Sequence, residues 1–352
     1  MEKINDMKRY GLSEAFTVYS EGFKDLTVSR VISQQKGLYR LISEYGEKNG
    51  QVSGKFHYNV HTISEYPAVG DFVMTDWNEK NDSAVIHQVL PRRSCFMRKA
   101  AGGTAQEQVV AANIDTAFLC MSLNNDFNLR RLERYLAIAW SSGATPVIVL
   151  TKSDLCSDLD SRLSAISAVA SGADVLVTSC INDLGFEVLY PYITEGKTSA
   201  FIGSSGVGKS TIINCLMHEN LLNTGSIRSD DRGRHTTTHR ELFFLPCGGM
   251  VIDTPGMREL GMWDAGDGIN TAFSDIDALA LKCRFRNCTH SGEPGCAVLK
   301  AADNGLLSAE RLRSYQKLMC ENRYIEDTED YLAEKKERFK KIAKYNKNLH
   351  KR

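Results

Sequence analysis

The sequence lacks a long apolar run and an excess of charge of either sign. No stretch approaches the roughly 20 apolar residues that span a bilayer, and the polar first ten residues lack the apolar core of a secretory signal. We therefore expect no membrane segment and no export. Lysine and arginine together number 43, as do aspartate and glutamate, so the overall charge gives no indication of nucleic-acid binding.

The ten cysteines also lack the C-x-x-C spacing of a redox motif. Most stand singly in apolar segments, as Cys120 and Cys215 do, and this placement is typical of small buried side chains. Three near the C-terminal end, Cys283, Cys288 and Cys296, form a cluster. This usage indicates a reducing compartment rather than an oxidising one, and predicts a cytoplasmic protein.

The 352 residues are enough for two or three domains, and no internal repeat divides them. Residues 1–25 are polar and are predicted to form an arm that becomes ordered on contact. Residues 26–98 contain short β-like runs punctuated by glycine, asparagine and proline. These runs are 26–32, 38–42, 69–74 and 84–89. They predict a small all-β barrel, either an OB-fold or an SH3-like barrel.

The pattern changes after a linker over residues 99–105. Strands and helices then alternate up to about residue 275, which predicts an α/β domain over 99–275 with a mostly parallel sheet. Strands are expected at 116–121, 146–150, 175–177 and 200–202, and helices at 129–142, 159–170 and 185–193. Residues 276–352 contain the cysteine cluster and end in a charged helical tail.

A phosphate-binding loop is the most specific motif in the chain. The pattern G-x-x-x-x-G-K-[ST] is matched in full between an apolar run, 199–202, and a helical segment, 211–217. The residues concerned are Gly203, Ser204, Ser205, Gly206, Val207, Gly208, Lys209, Ser210 and Thr211. Glycines let the backbone wrap phosphate, the lysine reaches the β- and γ-phosphates, and the Ser210 hydroxyl can ligate Mg²⁺.

Two later segments have the properties of nucleotide switches. Asp253-Thr254-Pro255-Gly256 follows an apolar strand, so Asp253 is placed to hold Mg²⁺ and the Gly256 amide to meet the γ-phosphate. The loop over 226–240 is rich in charge and small residues. It is predicted to be a first switch in which Thr237 or Thr238 binds Mg²⁺.

A guanine-reading element precedes the phosphate-binding loop. Thr151-Lys152-Ser153-Asp154 follows an apolar strand and has the [NT]-K-x-D pattern, in which the carboxylate pairs with two N–H donors of guanine and the lysine stem packs on the ring. Ser179 and Cys180 end the next strand and can support the base at its O6. The nucleotide still binds at the carboxyl ends of the strands, so this order predicts a circularly permuted GTPase.

The order of these motifs, with Gly233-Arg234-His235-Thr236-Thr237-Thr238 between the last two, resembles the ribosome small-subunit-dependent GTPase A (RsgA) family. The resemblance covers nearly the whole chain from about Leu26. It implies an N-terminal OB-fold, a permuted GTPase domain and a C-terminal zinc domain. It also implies GTP hydrolysis during late assembly of the small (30S) ribosomal subunit, with 16S rRNA as a partner and stimulation by that subunit.

The cluster Cys283-x4-Cys288-x-His290-x5-Cys296 matches the zinc element of that family. Three thiolates and one imidazole make a closed tetrahedral site, which is typical of structural rather than catalytic zinc. One Zn²⁺ per chain is therefore expected, in addition to the Mg²⁺ that accompanies GTP.

The residue after the Asp253–Gly256 motif is Met257, where many GTPases carry a glutamine that orients water. A thioether cannot position water well, so another group or a partner must do so. The resemblance points to His235 as the candidate catalytic group. Arg232 and Arg234 are further candidates for stabilising charge.

The sequence leaves two other functions open. One is an RNA-dependent ATPase or kinase, and the other is a binding module in which GTP serves only as a conformational latch. Asp154 argues against the first, and the missing glutamine keeps the second open. The basic segments 92–99 and 335–352 are consistent with RNA contact. We expect a monomer that binds GTP and GDP.

Overall fold

A computed structural model gives the structure of the protein. It describes residues 3–4, 6–35, 37–78, 80–99, 107–170, 172–179, 185–218, 240–253 and 266–325. Within these ranges no helix is long and apolar enough to cross a membrane.

The N-terminal strands close into a five-stranded barrel. The strands are β1 (Thr27–Gln35), β2 (Leu38–Ser43), β3 (Gly46–Val52), β4 (Phe72–Asp76) and β5 (Ser83–Val89). They pair in the circular order β1-β2-β3-β5-β4-β1, antiparallel except for the parallel pair β3–β5. Helix α2 (Gly54–Asn59) lies between β3 and β4, and Ser53 caps it by accepting from the Phe56 amide. This topology confirms the OB-fold and removes the SH3-like alternative.

Strand β3 was not predicted from the sequence. Its residues, GEKNGQV, carry no β-branched residue before the last position, and only Gly50 among them is buried. A Cβ at Gly50 would lie 2.4 Å from Leu41 Cδ1, so this strand approaches β2 too closely for a side chain. Pairing with β2 and β5, rather than intrinsic propensity, makes this segment a strand.

The polar N-terminal segment packs on the barrel. Helix α1 (Glu14–Ser20) inserts Phe16, whose ring centroid lies 4.5 Å from that of Phe72. Met7 is buried in the same cluster. Two apolar side chains in a polar segment are sufficient to anchor it, because each removes a large apolar surface from water.

The central sheet has the doubly wound arrangement that the alternating pattern predicts. Its strands are β8 (Thr116–Ser122), β9 (Thr145–Thr151), β10 (Asp174–Val177), β11 (Thr198–Ile202), β12 (Arg240–Phe244) and β13 (Met250–Asp253). The order is β10-β9-β8-β11-β13-β12, and only β12 is antiparallel to its neighbour in this set. In doubly wound sheets, the ligand-binding loops meet at the carboxyl ends of the parallel strands.

Helices cover both faces of this sheet. Along β8, Ala117, Leu119 and Met121 face one apolar cluster, which includes α3 (Leu129–Ser142) and α4 (Leu159–Ser167). The alternate residues Phe118 and Cys120 face a second cluster, which includes α5 (Lys209–Met217). The helix predicted at 185–193 is instead a short 3₁₀ helix, Glu187–Tyr192, because Pro191 lies inside it and has no N–H to donate.

The barrel and the central sheet form one continuous sheet of eleven strands. The junction is an antiparallel pairing of β1 with β12, in which Ser33 faces Glu241 and Gln34 faces Arg240. A separate hairpin of β6 (Cys95–Lys99) and β7 (Glu107–Ala112) connects the two parts along the chain. The predicted domain boundary at residues 98 and 99 therefore lies at the end of β6.

Arg30 is buried at this junction, and its guanidinium donates to acceptors in several distant parts of the chain. Its Nη1 donates to the Tyr10 carbonyl (2.6 Å), its Nη2 to Thr198 Oγ1 (2.8 Å) and its Nε to the Gly70 carbonyl (3.3 Å). The guanidinium also lies 5.0 Å from the centre of the Phe72 ring. Burial lowers the pKa of Arg30 to about 10. The hydrogen bonds from the guanidinium to protein acceptors replace the bonds to water that the charged group loses on burial.

The described residues of the C-terminal part, 266–325, form four helices, namely α6 (Gly266–Ala272), α7 (Ser274–Ala280), α8 (Ala297–Asp303) and α9 (309–325). Helix α6 packs tightly on α3, where a Cβ at Gly268 would lie 2.2 Å from the Ala137 carbonyl. Arg311 of α9 donates to Glu133 of α3 (2.9 Å) and to both oxygens of Asp275. Residues 326–352, including the predicted basic tail, lie outside the described residues.

The first prediction concerns the junction. Arg30→Leu leaves the Tyr10 carbonyl and the Thr198 hydroxyl without their buried donor, so we expect the free energy of unfolding to fall by about 3 kcal/mol or more. Equilibrium unfolding in urea measures this change. Arg40→Leu on the adjacent strand is the control, because its exposed ion pairs should contribute less than about 1 kcal/mol. Equal effects of the two substitutions would show that Arg30 does not stabilise the junction.

Candidate nucleotide-binding site and metal centre

The loop over 203–208 lies at the carboxyl end of β11, a central parallel strand, and leads directly into α5. Gly206 and Gly208 have left-handed backbone angles, with φ of +72° and +107°. A Cβ at Gly203 would lie 2.7 Å from the Cys120 carbonyl oxygen. Three glycines are thus required for the path of this loop, and the N-terminus of α5 adds a partial positive charge beside it.

Lys209 folds its side chain back over this loop. Its Nζ donates to the carbonyl oxygens of Gly203 and Ser204, at 2.7 Å each. Ser210 and Thr211 follow in the first turn of α5 and are half-buried. The Lys209 ammonium group and the Ser210 hydroxyl group therefore both lie at the N-terminus of α5. This arrangement is suitable for binding phosphate and a divalent cation.

The Thr151–Asp154 element contacts this loop directly, although the two are far apart in the chain. Thr151, at the end of β9, donates from Oγ1 to the Val207 carbonyl (2.6 Å), and this hydrogen bond is buried. Lys152 donates from Nζ to the Gly206 carbonyl (2.7 Å). Two motifs recognised separately in the sequence therefore form one site.

Asp154 is exposed, and a buried hydroxyl orients it. Ser179 donates from Oγ to Asp154 Oδ1 at 2.5 Å, and Ser179 is buried at the end of the neighbouring strand. Lys152 adopts a left-handed backbone with φ of +58°, which is uncommon for a residue other than glycine. Strain of this kind is concentrated at binding sites, where the surrounding contacts compensate for it. Cys180, predicted beside Ser179, lies outside the described residues.

Asp253 ends β13, which is the parallel neighbour of β11. Its carboxylate therefore lies at the same edge of the sheet as Ser210, and is half-buried. A carboxylate and a hydroxyl oxygen are donors suited to Mg²⁺. The other residues predicted for this part of the site, His235, Thr237, Thr238 and Gly256, lie outside the described residues.

Sequence reasoning missed Asp126, which also contacts the phosphate-binding loop. Ser204 donates from Oγ to Asp126 Oδ2 at 2.7 Å, and Arg131 of α3 forms an ion pair with the same carboxylate at 2.9 Å. Asp126 follows β8, whose carboxyl end adjoins that of β11. Its position just after a central strand could have indicated a residue of the binding site, but Asp126 belongs to no recognisable motif.

The basic segment 92–99 serves the fold more than a binding surface. Arg92 donates to both carboxylate oxygens of the buried Asp71, at 2.8 and 2.7 Å, and to the Ser64 carbonyl. Arg98 donates to Gln108 on the paired strand. The Arg92 guanidinium is thus committed to internal acceptors, and the RNA contact expected from the segment stays a prediction.

Cys283, Cys288, His290 and Cys296 converge in the C-terminal part, and their ligand atoms all lie within 4.8 Å of one another. The first two residues are half-buried and the last two are buried. The Cys283 and Cys296 sulfurs are 3.9 Å apart, and His290 Nδ1 lies 3.7 Å from the first and 3.3 Å from the second. Zinc–sulfur bonds of about 2.3 Å in a tetrahedron would place sulfurs about 3.8 Å apart. The set can therefore hold a zinc-sized ion.

The surrounding backbone supports thiolate and neutral imidazole ligands. Amides of Ala297 and Leu299 donate to the Cys283 and Cys296 sulfurs, at 3.3 and 3.4 Å. Burial lowers the pKa of His290, which favours the neutral ring that binds metal. Glu293 shapes the loop between the ligands by accepting from Thr289 and from neighbouring amides, and these bonds lower its pKa to about 2.

The family model and the similar proteins named below all point to one family, RsgA. The family model described as RsgA GTPase matches residues 89–263. A protein of Lactiplantibacillus plantarum, named small ribosomal subunit biogenesis GTPase RsgA 2, is 49% identical over 90% of this chain and 89% of its own length. A Methanosarcina acetivorans protein of the corresponding name, RsgA, is 42% identical over 88% of this chain and 84% of its own length.

Two solved structures share the architecture. YjeQ from Thermotoga maritima has a TM-score of 0.62 and 25% identity, over 83% of this chain and 97% of that chain. YloQ, described as a circularly permuted GTPase, has a TM-score of 0.58 and 26% identity, over 86% of this chain and 96% of that chain. The predicted permutation of the nucleotide-binding motifs is thereby confirmed.

Proposed function

Because the chain belongs to the RsgA family of GTPases, we propose that it hydrolyses GTP to GDP and phosphate during maturation of the small ribosomal subunit. The relatives that support this proposal carry that role in their names and match most of their own length. Membership of this family favours a GTP hydrolase over the ATPase or kinase and over a module that uses GTP only as a latch.

The observation that carries the proposal is the direct bonding of the guanine-reading element to the phosphate-binding loop. The buried Thr151–Val207 bond and the Lys152–Gly206 bond hold the two motifs at a constant separation. A nucleotide contacts both motifs at once only if that separation is maintained. Preorganisation of this kind reduces the entropy lost when the ligand binds.

Each residue of the site has a separate role in holding GTP. Loop amides from Gly203 to Thr211 face the phosphates, and Lys209 supplies a positive charge to the β- and γ-phosphates. Asp154 accepts from the two guanine donors while the Lys152 stem packs on the base. Ser153, Ser179 and Cys180 complete the base-binding edge, and the Gly256 amide meets the γ-phosphate.

Ser210 and Asp253 are the described residues that would hold Mg²⁺, together with Thr237 or Thr238. Asp253 ends β13, and Ser210 lies in the first turn of α5 after the neighbouring strand β11, so both oxygen donors lie at one edge of the sheet. Oxygen donors of this kind suit a hard cation such as Mg²⁺. When bound, Mg²⁺ neutralises the charge that develops on the phosphates.

Hydrolysis requires a group that positions the attacking water, and Met257 cannot provide one. We propose His235 for that role. A water-positioning ring must be held in a fixed place relative to the γ-phosphate, and we propose that a binding partner completes that placement. Slow turnover by the protein alone and faster turnover on the small subunit follow from this requirement.

The four ligands Cys283, Cys288, His290 and Cys296 would bind one structural Zn²⁺. All positions of a tetrahedron are then filled by protein, so the ion contributes to folding and leaves no open position for chemistry. We further propose that the protein acts as a monomer, contacts 16S rRNA and is located in the cytoplasm.

The second prediction tests the base reader. Asp154→Asn replaces an acceptor by an amide, so GDP affinity should fall by about 3 kcal/mol, roughly a hundredfold, while affinity for xanthosine diphosphate rises. Calorimetric titration of both nucleotides measures the change. Ser179→Ala is the matched control, because it keeps the Asp154 carboxylate but removes the hydroxyl that orients it, so it should weaken GDP binding without favouring xanthine. If Asp154→Asn retained wild-type GDP affinity, Asp154 would be excluded as the guanine contact.

The third prediction tests the function itself. GTP hydrolysis should be slow for the protein alone and should rise strongly when purified small subunits are added. The stimulation should shrink with added salt, because basic side chains that neutralise phosphates release counterions. His235→Ala should remove most of the stimulated rate with little change in GTP affinity. Wild-type GTP hydrolysis that does not respond to small subunits would overturn the proposed function. Full stimulation of His235→Ala would show only that His235 has no catalytic role.

The fourth prediction tests the metal. Elemental analysis should find about one zinc per chain, and Cys288→Ser should lose most of it because a tetrahedral site needs all four ligands. A chelator should destabilise the C-terminal helices before the nucleotide domain, since metal binding there is folding energy. Cys320→Ser is the control, because this exposed cysteine of α9 is outside the cluster. Zinc-free protein with an unchanged melting curve would contradict the assignment.

A further inference from the structure

A groove with a volume of about 630 Å³ runs between α3 and α9, away from the Cys/His cluster and the barrel. We call it the α3–α9 groove. Five cationic side chains and one carboxylate are among its lining residues, which are Asn128, Arg130, Arg131, Arg134, Glu310, Arg313, Ser314, Lys317 and Leu318. The charge of this groove contrasts with the balanced charge of the whole chain.

The cations are arranged in two rows that face one another. Arg130 and Arg134 are four residues apart on α3, and Arg313 and Lys317 are four residues apart on α9. Residues at this spacing lie on the same side of a helix, about 6 Å apart along its axis. The groove therefore presents repeated positive charge along its length instead of a single charged point.

The two rows differ in how their charges are used within the protein. Arg130 pairs with Glu133 and Glu310, and Arg134 pairs with Glu321. Arg313 and Lys317 are exposed, and neither has a carboxylate partner among the residues that the structure describes. The α9 row is thus available to an external anion, and the α3 row is held in position by its acidic partners.

The chemistry of the lining indicates the kind of anion. Among the described residues that line the groove, Leu318 is the single apolar side chain and none carries an aromatic ring that could stack on a base. Recognition must therefore depend on charge and hydrogen bonding to a repeated anion. Phosphodiester groups provide that pattern, and contacts to them position a nucleic acid without reading its sequence.

We propose that the α3–α9 groove binds the phosphodiester backbone of RNA. The choice of RNA over another polyanion rests on the proposed function, in which the partner is a ribosomal subunit. Arg131 in the groove also pairs with Asp126, the residue that accepts from Ser204 of the phosphate-binding loop. RNA in the groove would therefore lie one ion pair away from the nucleotide site.

The experiment is a titration of the full-length protein with fluorescently labelled polyuridylate over a series of salt concentrations. Arg313→Glu combined with Lys317→Glu should lower the affinity about tenfold or more. It should also reduce the slope of log affinity against log salt by about 1.4, since each lost single-strand contact contributes about 0.7. GDP affinity and basal GTP turnover, measured on the same samples, should be unchanged.

The matched control is Lys300→Glu combined with Arg323→Glu. It makes the same change of charge at exposed positions of the C-terminal part that do not line the groove. An equal loss of RNA affinity in both double variants, or no loss in the groove variant, would overturn the proposal. Polyglutamate that competes with RNA at equal charge concentration would also overturn it, because the groove would then select charge alone. Each of these results is independent of whether small subunits stimulate wild-type turnover, which decides the proposed function.

Discussion

The contacts of β1 set the position of the barrel relative to the nucleotide site. This strand closes the barrel against β4, pairs with β12 at the edge of the central sheet, and carries the buried Arg30. Arg30 reaches Thr198 on β11, the strand that leads into the phosphate-binding loop. A guanidinium can serve three acceptors in one plane, and burial makes each of those bonds costly to lose. The OB-fold is consequently continuous with the GTPase sheet.

The permuted order of the motifs has no consequence for the geometry of the site. In a parallel sheet the loops that follow neighbouring strands meet at one edge, whichever strand comes first in the chain. Thr151 follows β9 and Asp126 follows β8, and both contact the loop that follows β11. The chain order changes only which loops connect the strands.

Helix α3 relates the C-terminal part to the nucleotide site. Its buried Glu133 accepts from Arg130 of the same helix and from Arg311 of α9, and Gly268 lets α6 approach it closely. The same helix carries Arg131, which holds Asp126 beside the phosphate-binding loop. The C-terminal part and the Asp126 carboxylate therefore both contact the same helix. Buried charge at this interface disfavours alternative packings, because a separated Glu133 or Arg311 would lack its partner.

The sequence alone determined the features whose chemistry is local. The phosphate-binding loop, the Thr151–Asp154 element and the Cys283–Cys296 cluster each depend on residue types at short spacing, and the alternating pattern of 99–275 predicts the sheet that positions them. The tertiary structure alone decided the roles of Asp126, Arg30 and β3, and the internal use of Arg92. Those roles come from partners that lie far away along the chain. Burial and hydrogen bonding between distant segments arise only when the chain folds, so no short pattern of residues can record them.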